Sequence, residues 1–258
     1  MNNNLKLKLI ELMKECMDYL ESVTYKKVSY KSDGTVVTEA DKYLSKFISV
    51  ELLKLLPDIP VICEEGTLNK KILIKNSFWL IDPIDGTASY AKDGKGYTVN
   101  IALIEKGFPV FGIVGSPPFN TMWYGQGDKA FIIKSGEHIN LNVSPASEEI
   151  RIVLSNNPDR DTVNFLKIID YKKIKKYSSS VKFCKIAEGE ADFYPRMQSI
   201  NKWDIAAGDA ILRAAGGIVL DKNGKIFNYN KGGFKTGPFF AVSSMELWKK
   251  IIYYNTLK

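Results

Sequence analysis

The sequence predicts an α/β fold of the α+β type, a single unit in which helices cover sheets. Three observations carry that expectation. Apolar residues at helical spacing occupy both ends of the chain, short β-rich runs separated by Gly, Pro and Asn occupy the middle, and no repeat, low-complexity tract or linker divides the whole. With 258 residues, 45% hydrophobic and 25% charged, the composition is that of an ordinary globular protein. The switch of pattern divides it into an N-terminal α+β half, about 1–145, and a C-terminal α/β half, about 146–258.

The elements follow in order. Leu5, Leu9, Leu12, Met13, Cys16 and Leu20 predict a helix from about 4 to 22, and Leu44, Phe47, Ile48, Leu52 and Leu55 a second from about 39 to 56, ended by Pro57. Between them Asp33-Gly34 reads as a turn joining short extended pieces. From residue 60, "VIC", "FWLI", "YTVNIALI", "VFGIVGSP", "TMWYG" and "AFII" predict an antiparallel sheet or meander. "GQGDKA" lies between two of these runs and opens no helix, so it reads as a hairpin turn, and His138, the single histidine, is expected on a loop. Helical periodicity returns in "TVNFLKIID", "SVKFCKIAEG" and "WDIAAGDAILRAAGG". In the last, Ala206, Ala207, Gly208 and Ala210 suit close packing on a sheet, and Gly216-Gly217 stops the helix. A strand pair around 218–220 and 239–242 and a closing helix complete the chain.

Composition narrows the function. No apolar run approaches the ~20 residues that span a bilayer, and the N-terminus has neither a clean apolar core nor a cleavage site, so the expectation is a cytoplasmic protein. Cys16, Cys63 and Cys184 fit neither a disulfide framework nor a zinc site. The net charge of +7 suits an anionic partner. Its one dense cluster, Lys172, Lys173, Lys175 and Lys176, reads as a solvated surface with at most peripheral contact to the inner face of the cell membrane. No nucleic-acid-binding signature accompanies it, which leaves a small phosphorylated molecule as the compatible partner and a nucleic acid polymer as a disfavoured one.

The chemistry centres on "FWLIDPIDGTASY". Asp82 and Asp85 follow a buried run, with Pro83 fixing one backbone angle between them and Gly86 permitting a tight turn that brings Thr87 beside them. A turn with a capping Asp is the plain alternative. Other segments add Glu64 and Glu65 after "VIC", Asp204 at the start of the "WDIAAG" helix, and Thr38, Glu39 and Asp41 at the start of the second helix. Carboxylates delivered from several element ends form the oxygen-rich set that Mg²⁺ prefers. With no second histidine and no GxSxG, a serine-hydrolase triad has little support.

"EEG", "DPIDGT" and "WDIAAGDAILRAAGG", in that order and with "DGTVVTEAD" before them, resemble the magnesium-dependent phosphomonoesterases of the inositol monophosphatase superfamily over nearly the whole chain. "GYTVNIALIEKGFPVFGIVGSP", "SSSVKFCKIAEGEADFYPR" and "NKWDIAAG" are similar to its CysQ-type branch of 3'(2'),5'-bisphosphate nucleotidases. The resemblance implies a layered αβαβα sandwich of the inositol monophosphatase / sugar phosphatase kind. It implies metal ligation by Glu64, Asp82, the carbonyl of Ile84, Asp85 and Asp204, holding two or three Mg²⁺ ions, with Asp41 and Thr87 orienting a metal-activated water for in-line attack. Glu64, Ile84, Asp85, Gly86, Thr87, Arg196 and Asp204 would contact substrate. Where the inositol enzymes carry an acid, Arg196 suits a second phosphate, with Lys182 and Lys185 adding charge on the same side.

The implied reaction is hydrolysis of adenosine 3',5'-bisphosphate (PAP) to AMP and phosphate, with PAPS to APS as a further reaction. Inositol-1-phosphate phosphatase and fructose 1,6-bisphosphatase share the metals and stay open as alternatives, as does a non-catalytic nucleotide-sensing protein. Monomer and homodimer both remain open. Two departures bear on specificity: "YSSSVKF" lacks the glycine expected before the serines, which bears on the loop around Ser178 to Ser180, and the segment after Thr87 is short of the acidic and aromatic residues often found there.

Overall fold

A computed structural model describes residues 2–144, 149–167 and 169–256. Helix α1 (Asn3–Ser22) starts behind Asn2, whose side chain accepts the Leu5 amide, and buries the predicted Leu9, Leu12, Met13, Cys16 and Leu20. Strands β1 (Val28–Tyr30) and β2 (Val36–Thr38) pair antiparallel across Asp33-Gly34. Helix α2 (Glu39–Leu55) then begins at a capping box between Thr38 and Asp41.

Seven strands form the first sheet: β3 (Val61–Cys63), β4 (Ser77–Asp85), β5 (Thr98–Glu105), β6 (Phe108–Ser116), β7 (Thr121–Gln126), β8 (Lys129–Lys134) and β9 (Glu137–Leu141). From β4 to β9 it is the predicted antiparallel meander, whereas β3 runs parallel to β4. A short helix, α3 (Thr87–Lys92), lies between β4 and β5. "GQGDKA" is the β7–β8 hairpin, as read. His138 is not on a loop: it lies in edge strand β9, its Nδ1 3.3 Å from the Tyr124 hydroxyl.

The second sheet has five strands in the order β11 (Lys173–Lys176), β10 (Arg151–Leu154), β12 (Phe193–Arg196), β14 (Phe239–Val242), β13 (Ile218–Asp221). The lysine-rich run is therefore an edge strand, a position where lysines discourage further strand pairing. Its charge is partly neutralised, because Lys172 pairs with Glu149 and Lys175 with Glu190. No helix among the described residues is long and apolar enough to cross a membrane.

Strand periodicity sets the layering. In β4, Trp79 and Ile81 face α1 and α2, while Phe78 and Leu80 share a core with α5 (Val181–Ala187) and α6 (Trp203–Ala214). The second sheet closes that core with Val153, Tyr194, Phe239 and Ala241. Its other face packs Ile152, Phe193, Phe240 and Val242 on α4 (Arg160–Leu166) and α7 (Met245–Thr256). Helices, sheet, helices, sheet and helices thus alternate as the αβαβα sandwich. Helix α6 lies in the middle layer, and its approach depends on small residues from both partners: a Cβ at Gly125 would stand 2.7 Å from the Ile211 Cα, and one at Gly112 would strike the Ala207 carbonyl. This close seat holds α6 against β6 and β7.

Candidate active site

A β-bulge creates the carboxylate pair. Asp82 pairs with Asn100 and Asp85 with Thr98, so three steps on β4 match two on β5. In an unbroken strand, residues three apart face opposite sides; the extra residue at Pro83-Ile84 turns both aspartates toward the same side. Strand β4 therefore runs through the motif to Asp85 and does not end before it. The Asp82 carboxylate accepts the Ile84 amide at 3.1 Å, and Asn100 Nδ2 donates to Asp85 Oδ2 at 3.3 Å.

Glu64 follows β3, which lies beside β4, and Asp204 is the second residue of α6. Carboxylate oxygens of Glu64, Asp82 and Asp204 lie within 4.8 Å of one another. Asp85 stands outside this trio, with its charge acting on Asp82 and Asp204. Trp203 Nε1 donates to Glu64 Oε2 at 3.0 Å, and the Asn201 amide donates to Asp204 Oδ2 at 2.9 Å. Glu65 is turned aside to Lys31, whose ammonium contacts it at 2.5 Å and Glu64 at 3.0 Å. Glu39 is an exposed partner of Lys42.

Burial, then repulsion from Glu64, Asp85, Asp204 and Asp41, pushes the Asp82 carboxyl well above the usual carboxylate range. Asp204 is raised likewise by burial, Asp85 and Glu64, against the Asn201 amide and the charge of Lys235. Burial raises Asp85 to about 6, although Lys182 and Asn100 pull it down. Hard oxygen donors that resist ionisation because they crowd together fit a divalent cation, which removes both the repulsion and the desolvation penalty. The residues present therefore fit Mg²⁺.

Asp41 serves α2 and the site at once. Its Oδ2 accepts from the amide and hydroxyl of Thr38, while Oδ1 accepts from Thr87 Oγ1 at 3.0 Å. The same hydroxyl lies 2.8 Å from the Ile84 carbonyl. Gly86, at φ +94°, makes the turn into α3. An added Cβ would lie 2.7 Å from Ser179 Oγ and 2.9 Å from the Gly96 carbonyl. Gly86→Ala should therefore cost about 1–3 kcal/mol, read as a thermal midpoint lower by roughly 2–10 °C; an unchanged midpoint would show that the turn relaxes freely.

The cleft beyond the carboxylates, about 240 Å³, is lined by Asp85, Gly86 and Asp204 together with Lys182, Tyr194 and Arg196. Lys182 is buried, donating to the carbonyls of Ser179 (2.6 Å) and Tyr177 (3.3 Å). Burial lowers its pKa to about 8, with Arg196 adding to the fall and Asp85 opposing it. Arg196, at the end of β12, donates through Nη1 to Ser155 Oγ at 2.9 Å. Lys185 is not in the cleft: it pairs with Glu188 and Glu190. In the serine triplet the left-handed residue is Ser179 (φ +55°), which donates to the Asp85 carbonyl at 2.7 Å. Ser178 needs no glycine-like backbone, and its Oγ accepts from Asn156.

Of the residues singled out from sequence, Glu64, Asp82 and Asp204 meet as one cluster, Asp41 and Thr87 meet beside it, and Asp85, Gly86 and Arg196 line the cleft. Lys31, Trp203, Asn100 and Ser155 escaped sequence reading. Lys31, Asn100 and Ser155 reach the site from distant segments, and Trp203, next to Asp204, carried a local signal.

This fold and carboxylate arrangement define a metal-assisted phosphatase architecture, and the family model described as the inositol monophosphatase family matches residues 2–249. The chain belongs to that family. It is 39% identical over 230 residues to the 3'(2'),5'-bisphosphate nucleotidase CysQ of Buchnera aphidicola subsp. Acyrthosiphon pisum, covering 87% of each chain. It is 36% identical over 214 residues to the protein of the same name from Salmonella typhimurium, covering 83% of this chain and 87% of that one. Among solved structures, CysQ from Bacteroides thetaiotaomicron superimposes with a TM-score of 0.74 at 25% identity, over 90% of this chain and 93% of the other.

Proposed function

We propose that the chain is a Mg²⁺-dependent 3'(2'),5'-bisphosphate nucleotidase, converting adenosine 3',5'-bisphosphate to AMP and phosphate and acting also on PAPS. One observation carries the substrate assignment: the cleft lined by Asp85 and Asp204 is lined also by Lys182 and Arg196. A cation held by the carboxylates would satisfy the phosphate that reacts. The second phosphate of a bisphosphate needs its own positive partners, which an uncharged polyol would leave idle. The named activity of the Buchnera and Salmonella relatives supports the same reading.

Enzymes of this family depend on Mg²⁺. Glu64, Asp82, Asp85, Asp204 and the Ile84 carbonyl are the groups that would hold two or three ions. Bound there, Mg²⁺ neutralises phosphate charge and lowers the pKa of water. The Thr87 hydroxyl has one hydrogen and two acceptors, Asp41 Oδ1 and the Ile84 carbonyl. Turned to Asp41, it gives its proton to that carboxylate while taking one from the attacking water. Asp41 is suited to receive it, because burial raises its pKa against the hydrogen bonds of Thr38 and Thr87. Gly86 keeps the turn open to the phosphate.

Thr87→Val should lower kcat by about 10²- to 10⁴-fold while Mg²⁺ affinity, measured by calorimetry, stays as in the wild type. A parallel loss of Mg²⁺ affinity would move Thr87 from proton transfer to holding the site. The assignment itself is tested by following products by phosphorus NMR. Adenosine 3',5'-bisphosphate should give adenosine 5'-phosphate and orthophosphate; adenosine 3'-phosphate would overturn the proposal.

A further inference from the structure

Next to the cleft but sharing no lining residue with it, a second cavity of about 140 Å³ is lined by Lys202, Lys225, Lys231 and Lys235, with Asp221 as the acid on its wall. Its lining carries four lysines and one acid. Lys31, Lys42, Lys54, Lys172, Lys175 and Lys185 each pair with a carboxylate. Among the described residues none of the four cavity lysines does, and Asp221 Oδ1 is taken by the amides of Asn223 (2.8 Å) and Lys225 (3.0 Å).

Lys202 gives the cavity a buried cation. It precedes α6 and is 1% exposed. Its Nζ donates to the carbonyls of Tyr229 (2.7 Å) and Lys231 (2.6 Å). Neutral carbonyls satisfy two of its three hydrogens and none of its charge, so a buried ammonium is left without a counter-charge. An anion in the cavity supplies one. The volume, smaller than that of the catalytic cleft, suits a single tetrahedral group.

We propose that this cavity binds a small tetrahedral oxyanion of the phosphate class, at a site that shares no lining residue with the catalytic cleft. Occupied, it ties segment 221–236 to the first residues of α6, two positions ahead of Asp204. Released orthophosphate and an ambient oxyanion such as sulfate share the required chemistry.

The test uses the full chain with a chelator present, so that the carboxylate cleft does not retain phosphate through a metal. Amide spectra are recorded as orthophosphate, and separately sulfate, is added to the wild type, to a Lys225→Gln/Lys231→Gln/Lys235→Gln variant, to Lys173→Gln/Lys176→Gln and to Arg196→Ala. The amides of residues 228–236 should shift and saturate in the wild type. They should do so with the same dissociation constant in Arg196→Ala and in the β11 variant, and with at least a tenfold weaker one in the triple variant. Preference for orthophosphate would make the product the occupant, and equal response to sulfate would make the site a general oxyanion site; either supports the proposal. Shifts confined to the cleft, shifts lost in Arg196→Ala, or equal weakening in the triple and β11 variants would overturn it. Because no turnover is measured, failure here is distinct from failure of the nucleotidase reading.

Discussion

Asp82→Asn should abolish Mg²⁺-dependent phosphate release and, in the presence of a chelator, raise the thermal midpoint. The two effects have one cause. Asp82 sits at the bulge of β4, 2% exposed and within reach of Glu64 and Asp204. Its charge is useful only when a cation shares it, and removing a ligand forfeits several kcal/mol of transition-state charge stabilisation, on the order of 10³-fold or more in rate. Without the cation, the same charge opposes folding. The pH dependence follows from the raised folded-state values of Asp82 and Asp204 and from Asp85 at about 6. Between the unfolded carboxyl value of 3.8 and about 6 the native state holds more protons than the unfolded one, so stability is present at the acid end and is lost as pH rises through the window. Metal-free wild type should therefore unfold at a lower temperature at pH 7 than at pH 5, with a smaller difference in Asp82→Asn. A variant that keeps near wild-type turnover, or that loses stability under chelation, would end the metal-site reading.

Arg196→Ala should separate the substrates. The guanidinium is held in place by Ser155 Oγ and by the Gln198 carbonyl, which receives Nε at 3.3 Å. Hydrogen bonds to a charged partner are worth about 1.5–3 kcal/mol, so kcat/KM for adenosine 3',5'-bisphosphate should fall about 10- to 150-fold. Any turnover of inositol 1-phosphate should change little. Arg196→Lys should recover part of the loss, since it restores charge without the planar fork. If both substrates lose equally, Arg196 supports the fold of the cleft and does not read the second phosphate.

Much of this arrangement was legible in the chain because its signals are local. Apolar spacing marked α1, α2 and α6, and the Asp33-Gly34 turn and the acids at element ends stand within short stretches. What escaped depends on pairing between distant segments. Residues 82 and 85 look like a turn until the partner strand shows that Pro83-Ile84 forms a bulge. Lys31 belongs to a hairpin with no motif of its own, yet its ammonium reaches Glu64 and Glu65. "KKIKK" read as a solvated surface because charge alone does not reveal an edge strand. Lys182 and Lys185, three apart in the chain, parted for a physical reason: Glu188 and Glu190 claim Lys185, while backbone carbonyls hold Lys182 in the cleft.

The most direct measurement is phosphate release from adenosine 3',5'-bisphosphate and from inositol 1-phosphate, side by side, with Mg²⁺ and with a chelator. A cleft that joins a carboxylate metal site to the Lys182–Arg196 wall predicts at least a tenfold higher kcat/KM for the nucleotide and no release from either ester under chelation. A faster inositol ester would contradict the role given to the cationic wall, and release that survives chelation would contradict the metal site itself.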